Sequence, residues 1–151
     1  MNFHALLDKF TKIKKVHAHC DIPCGIYDPI SAKIAAQTVL KMAMKIEALD
    51  NNSDANSLNR YIAAKEKHAE LVKHEIDILW HDYFKPEHLE KYPDLHTKVW
   101  NTTKLAASNK QNVDAKSATQ LVASVDEIAS IFWATKGVDY SDTVEAIRFG
   151  S

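Results

Sequence analysis

Cys20 and Cys24, the two cysteines of this 151-residue chain, lie in the run His19-Cys20-Asp21-Ile22-Pro23-Cys24-Gly25-Ile26-Tyr27-Asp28-Pro29. Two thiols at that spacing can reach one ion across a short loop. Thiolates select soft or borderline metals: zinc, copper, nickel or an iron–sulfur cluster. A structural zinc site needs four protein ligands, usually as two pairs, and there is no second cysteine pair. A cluster of four irons wants four cysteines, and two are available. The missing donors must come from elsewhere, and the backbone can supply them. If the Ala18–His19 bond is cut, the His19 amine and the Cys20 amide nitrogen form one five-membered chelate ring. The Cys20 amide nitrogen and sulfur form a second. The Cys24 sulfur closes a plane, and the His19 imidazole reaches an axial position. Two nitrogens and two sulfurs in a plane suit divalent nickel or copper better than zinc. Without the cut, the His19 nitrogen is an ordinary amide and the set fails. The prefix Met1 to Ala18 is therefore expected to be a pro-segment removed by proteolysis.

This run closely resembles the hook of the nickel superoxide dismutase family. Two further segments agree with that family. One is Leu79-Trp80-His81-Asp82-Tyr83-Phe84-Lys85-Pro86, followed by Glu90-Lys91-Tyr92-Pro93 and Leu95-His96. The other is Ile131-Phe132-Trp133 with Thr135-Lys136. The resemblance covers about residues 19–136. It implies an enzyme that converts superoxide to dioxygen and hydrogen peroxide by cycling one nickel ion per subunit between divalent and trivalent states. By resemblance, His19, Cys20 and Cys24 are the metal ligands and Asp21 steadies the hook. The Ile22–Pro23 bond is cis, Tyr27 sits over the open face of the metal, Tyr83 supports Tyr27, and Lys85 lies near the approach. The family also implies a homohexamer whose neighbours cover the hooks, a processing peptidase for the prefix, and a cytoplasmic location.

The family pattern is departed from at two positions. The glutamate and arginine that hold the axial imidazole are matched here by Ala35 and His68. His68 is the expected substitute, and outer partners of this kind tune ligand basicity.

Other readings compete. A nickel or copper carrier would use the same donors with exchangeable metal and no redox cycle; Tyr27 beside an open face favours the enzyme. A di-iron bundle needs Glu-x-x-His pairs, and the chain has none. His74, His81 and His88 recur every seven residues, two helical turns apart. That is too far for one ion, and Pro86 interrupts the helix between them. They read as ordinary surface or core histidines.

The elements that must position the hook read as helices. A first helix from a Ser31 cap to about Leu49 carries Ile34, Thr38, Lys41 or Met42, and Ile46 along one face. After a loop over Asn51 to Asn56, a second runs from about Leu58 to Tyr83, striped by Ile62, Ala69, Val72, Ile76 and Leu79. Pro86 and Pro93 frame a turn. A third helix spans about Asp94 to Ser108. A fourth carries Ala118, Leu121, Val122, Val125, Ile128, Ala129 and Phe132 and stops at Gly137. The expected fold is an all-α, antiparallel four-helix bundle with an N-terminal metal-binding hook. Residues 1–18 form the pro-segment, residues 19–136 the hook and bundle, and residues 137–151 an uninformative tail. Three glycines and four prolines suit helices over a turn-rich sheet. A net charge of −1 offers no basic surface for nucleic acid. No apolar run approaches the ~20 residues of a membrane helix. The basic, amphipathic prefix is read as a pro-segment and not as a membrane anchor.

Overall fold

Aspartates set the helix starts. The Asp28 carboxylate accepts the N–H of Ile30 at 2.8 Å. Asp54 accepts from Asn56 and Ser57, both at 3.1 Å, and Asp114 from Lys116 at 2.9 Å and Ser117 at 3.1 Å. Each satisfies donors that a helix leaves open at its first turn. The computed structural model describes residues 25–50 and 54–150. In chain order its helices are α1 (Ile30–Glu47), α2 (Ala55–Ile78) continuing into a π-helical turn (Leu79–Tyr83), α3 (Pro86–Lys91), α4 (Leu95–Gln111), α5 (Ala115–Thr135) and α6 (Glu145–Phe149).

The four long helices form the expected bundle. α1 packs on α2 and α5, and α4 packs on the same two, so each touches its neighbours around a square. The N-terminus of α1, the C-terminus of α2 and the C-terminus of α5 meet at one end, where Tyr83 touches both Tyr27 and Phe132. α1 thus runs against α2 and α5. The apolar stripe expected on α5 is buried in full, from Ala118 to Phe132. Gly137 adopts φ +72° just past α5, and the Val138 N–H reaches back to the Trp133 carbonyl at 3.0 Å. Glycine takes this left-handed conformation without the Cβ penalty, so the helix stops where expected.

Several expectations need correction. Ser31 does not cap α1; it lies exposed inside the first turn, with Asp28 holding the Ile30 N–H instead. The inward face of α1 is not the Ile34 stripe. Ile34 is 45% exposed, and Ala32, Ala35, Ala36, Val39 and Ala43 are the buried apolar residues. Small side chains let α1 approach its neighbours closely, and the large aliphatics were the misleading signal. α2 starts earlier than Leu58, at its Asp54 cap. α4 extends past Ser108 to Gln111, because buried Lys65 of α2 caps its end. The Lys65 ammonium donates to the carbonyls of Asn109, Lys110 and Asn112, the last two at 2.9 Å. Three donors meet three carbonyls at the negative end of a helix. The segment between Pro86 and Pro93 contains the short helix α3, with Pro86 at its first position, where the missing N–H costs nothing. The tail is also ordered and carries α6.

Candidate metal centre

The segment that leaves the hook is fixed at the end of the bundle where α1 begins. Gly25 has φ +68°, and a Cβ added there would meet nothing within 4 Å, so backbone freedom and not space calls for glycine. Ile26 is 73% exposed. Tyr27 turns inward, with its ring centroid 5.6 Å from that of Tyr83 at a 53° tilt. Pro29 is buried and α1 follows. His19, Cys20, Asp21, Pro23 and Cys24 lie outside the described residues, as do the expected cis bond and the prefix. Among the described residues no group of three His, Cys, Asp or Glu could hold a metal ion. The two thiols that the sequence places in the hook are donors that suit nickel. Cys24 directly precedes the anchored segment.

Tyr83 is the hub of this end. Its ring centroid lies 4.5 Å from Phe132 and 5.3 Å edge-on from Phe84, and it stacks on His88 at 5.6 Å and 18°. The Tyr83 hydroxyl lies 2.6 Å from Thr135 Oγ1, which lies 2.6 Å from the Phe132 carbonyl oxygen. A carbonyl only accepts, so the Thr135 hydroxyl donates to it and Tyr83 donates to Thr135. The phenol proton is thus directed into α5, and the phenol oxygen retains acceptor capacity. The π turn aims this side chain. The Phe84 N–H bonds the Leu79 carbonyl at 2.9 Å, five residues back, instead of the one four back. One extra residue is thereby wound into the end of α2, a device common at functional sites.

Lys85 is exposed, and its backbone N–H donates to His88 Nδ1 at 3.1 Å. His88 therefore caps α3 and stacks on Tyr83, a structural role in keeping with its expected reading. His74 and His81 are exposed. Thr135 and Lys136 were quoted only as family agreement, yet both belong to this cluster. The Lys136 ammonium lies 5.3 Å from the Tyr83 centroid and 5.1 Å from that of Phe132. The family agreement at Ile131-Phe132-Trp133 and Thr135-Lys136 was the available signal.

Ala35 is fully buried in the core. His68 is half-buried on α2, and its Nδ1 lies 2.7 Å from the Ala64 carbonyl oxygen. That nitrogen must carry the proton, which leaves Nε2 of the neutral ring as an acceptor.

A family model described as nickel-containing superoxide dismutase matches residues 14–136. A relative named superoxide dismutase (Ni) from Streptomyces seoulensis is 43% identical over 122 residues, which is 81% of this chain and 91% of that protein. Its counterpart from Streptomyces coelicolor is 42% identical over 121 residues, 80% of this chain and 90% of that one. A solved native nickel superoxide dismutase superposes with a TM-score of 0.73 at 42% identity, covering 78% of this chain and 99% of its own. A second, with nickel ligation after partial X-ray-induced reduction, gives 0.74 at 42% identity over 80% and 100% of the two chains.

Proposed function

The chain belongs to the nickel-containing superoxide dismutase family, and from that premise we propose how its residues carry the activity. It is an oxidoreductase acting on superoxide with nickel as its metal. His19, Cys20 and Cys24 would hold the ion once residues 1–18 are removed by a peptidase. Bound nickel supplies one-electron exchange, so that two superoxide ions and two protons become one dioxygen and one hydrogen peroxide. The carrying observation is the Tyr27–Tyr83 contact, 5.6 Å between centroids, which fastens the root of the hook to the bundle.

Each side chain at the root has a task. Tyr27 screens the metal from solvent and orders small molecules beside it. Tyr83 holds Tyr27, and its own O–H donates to Thr135 Oγ1. Asp21 and Pro23 shape the hook turn. Superoxide is an anion and the chain is nearly neutral, so attraction must be local. Exposed Lys85 supplies positive charge near the approach, and Lys136 adds to it over the Tyr83 ring. His68 takes the outer position on the His19 imidazole. With Nδ1 committed to Ala64, His68 would serve through Nε2, as an acceptor for an imidazole N–H of His19.

The finer setting follows the family: a homohexamer in the cytoplasm. Among the described residues no helix is long and apolar enough to cross a membrane. The test is native mass spectrometry with metal analysis, paired with an activity comparison. The purified protein is expected to begin at His19 and to carry nickel. Nickel-loaded full-length chain should show little dismutase activity, and chain beginning at His19 much more. Equal activity in both forms would sink the ligand assignment. Bound metal without dismutation in the processed form would favour a carrier.

A further inference from the structure

The family match ends at residue 136, yet the polar groups beyond it are paired closely with α1 and α5. Lys33, in the first turns of α1, is fully buried. Its ammonium pairs with the Asp126 carboxylate of α5 and, at 3.1 Å, with Glu145 at the start of α6. The Tyr140 hydroxyl donates to Asp126 at 3.1 Å. Arg148 makes a two-pronged pair with Asp142, at 2.6 and 2.8 Å, and reaches the Gln37 side-chain oxygen at 3.3 Å. The Gln37 amide donates to Glu145 at 3.2 Å, and Lys41 donates to the carbonyls of Phe149 and Gly150 at 3.2 and 3.0 Å.

These contacts lie next to the root of the hook. The Lys33 N–H bonds the Pro29 carbonyl at 3.1 Å, tying the buried lysine to the last residue before α1. A cavity of about 250 Å³ is lined by Asp28 and Ile30 at the root, by Trp133, and by Tyr140, Ser141 and Asp142 of the tail. The tail therefore runs alongside the root before docking on α1. The buried ammonium joins two partly exposed carboxylates, one from α5 and one from the tail, so it links both elements to the first turn of α1. Bidentate arginine–carboxylate pairs add geometric precision.

We propose that residues 138–149 form a strap that positions the hook root, with Lys33 as the positioning residue through which Asp126 and Glu145 hold the first turn of α1. Its consequence for the metal rests on the nickel-hook reading above. Loosening the strap lets the root move relative to α5, and a hook with a loose root releases its ion faster.

The test compares wild type with Glu145→Gln, which keeps shape and removes one charge, and with Tyr140→Phe, which removes one donor. Hydrogen exchange by mass spectrometry on the full chain without metal reads the root directly. Amides of residues 26–36 are expected to exchange about fivefold faster or more in Glu145→Gln, with a smaller rise in Tyr140→Phe and no change in α4. Nickel-loaded Glu145→Gln protein should lose its ion to a chelator several-fold faster than wild type. Unchanged exchange at residues 26–36, or equal acceleration in α4, overturns the strap. Faster exchange with unchanged nickel release overturns the positioning role. If neither protein binds nickel, the metal reading fails while the exchange result still decides the strap.

Discussion

On one side of the hook root Tyr27 lies against Tyr83, inside a cluster of rings that includes Phe84, His88 and Phe132. On the other, Lys33 sits between carboxylates from α5 and the tail. Both fasten the same few residues, with opposite materials. The ring cluster belongs to the core, buries apolar surface, and responds weakly to salt or acid. The tail contributes no buried residue from α6, and much of its hold on α1 comes from ion pairs and hydrogen bonds. The contrast is between a fastening that draws on the apolar core and one that draws on polar pairs between the tail and α1 or α5. The first fastening sets where the hook begins; the second sets how much that beginning moves.

Breaking the ring side should cost most. Tyr83→Ala removes the hub and leaves a cavity against Phe132 and Tyr27. Urea unfolding should show a loss of about 3 kcal/mol, and dismutase activity should fall with it. Stability equal to wild type would show that Tyr83 carries little of the end of the bundle. Thr135→Val is milder: it keeps the volume and removes the acceptor for the Tyr83 proton. A loss of about 1 kcal/mol is expected in urea unfolding, because the Tyr83 hydroxyl loses its acceptor. Unchanged stability would mean that this hydrogen bond contributes nothing to the end of the bundle.

Acid sharpens the comparison with the smallest effect. The Arg148 guanidinium holds the Asp142 carboxyl below its ordinary value. A lowered folded pKa contributes stability that is present above the ordinary carboxylate value and lost as pH falls through the folded one. This pair lies within the tail and brings Arg148 to Gln37 of α1, so it should hold at neutral pH and weaken only below about pH 4, while the ring cluster persists. Burial and the charge of Asp126 push the Tyr140 phenol well above its ordinary range. That contribution is present below the ordinary phenol value and is lost only as pH rises through the folded one, so moderate alkali should leave the strap in place. Protease sensitivity within residues 138–149, followed across pH, measures both limits. Release of the tail at neutral pH would contradict the assignment of its ion pairs.

Legibility in the sequence followed the range of the interactions. The α5 stripe was plain because its apolar residues recur at helical spacing and all turn inward. The α1 face was misread because its inward residues are mostly alanines, which weigh little beside Ile34 and Ile46. The tail was opaque for a different reason. Gln37–Glu145 and Lys41–Phe149 join positions more than a hundred residues apart and leave no local pattern. At the candidate centre, Tyr27 and Tyr83 were legible through the family resemblance. Thr135 gained its role only when the geometry showed which oxygen had to accept. The end of α4 depended on Lys65, a lysine that composition alone would assign to the surface.

The π turn at Leu79–Tyr83 separates two demands that a uniform helix would couple. Upstream, α2 must keep Ala69, Val72 and Ile76 in phase with the core. Downstream, Tyr83 must face α5 and the hook root. Each residue advances an α-helix by about 100°, so one surplus residue resets the phase for everything after it. Deleting one residue there would leave the upstream core contacts in register. It would also turn the aromatic hub away from Tyr27 and the hook root, so a mutation silent to folding of the upstream bundle could remove the support beneath that root.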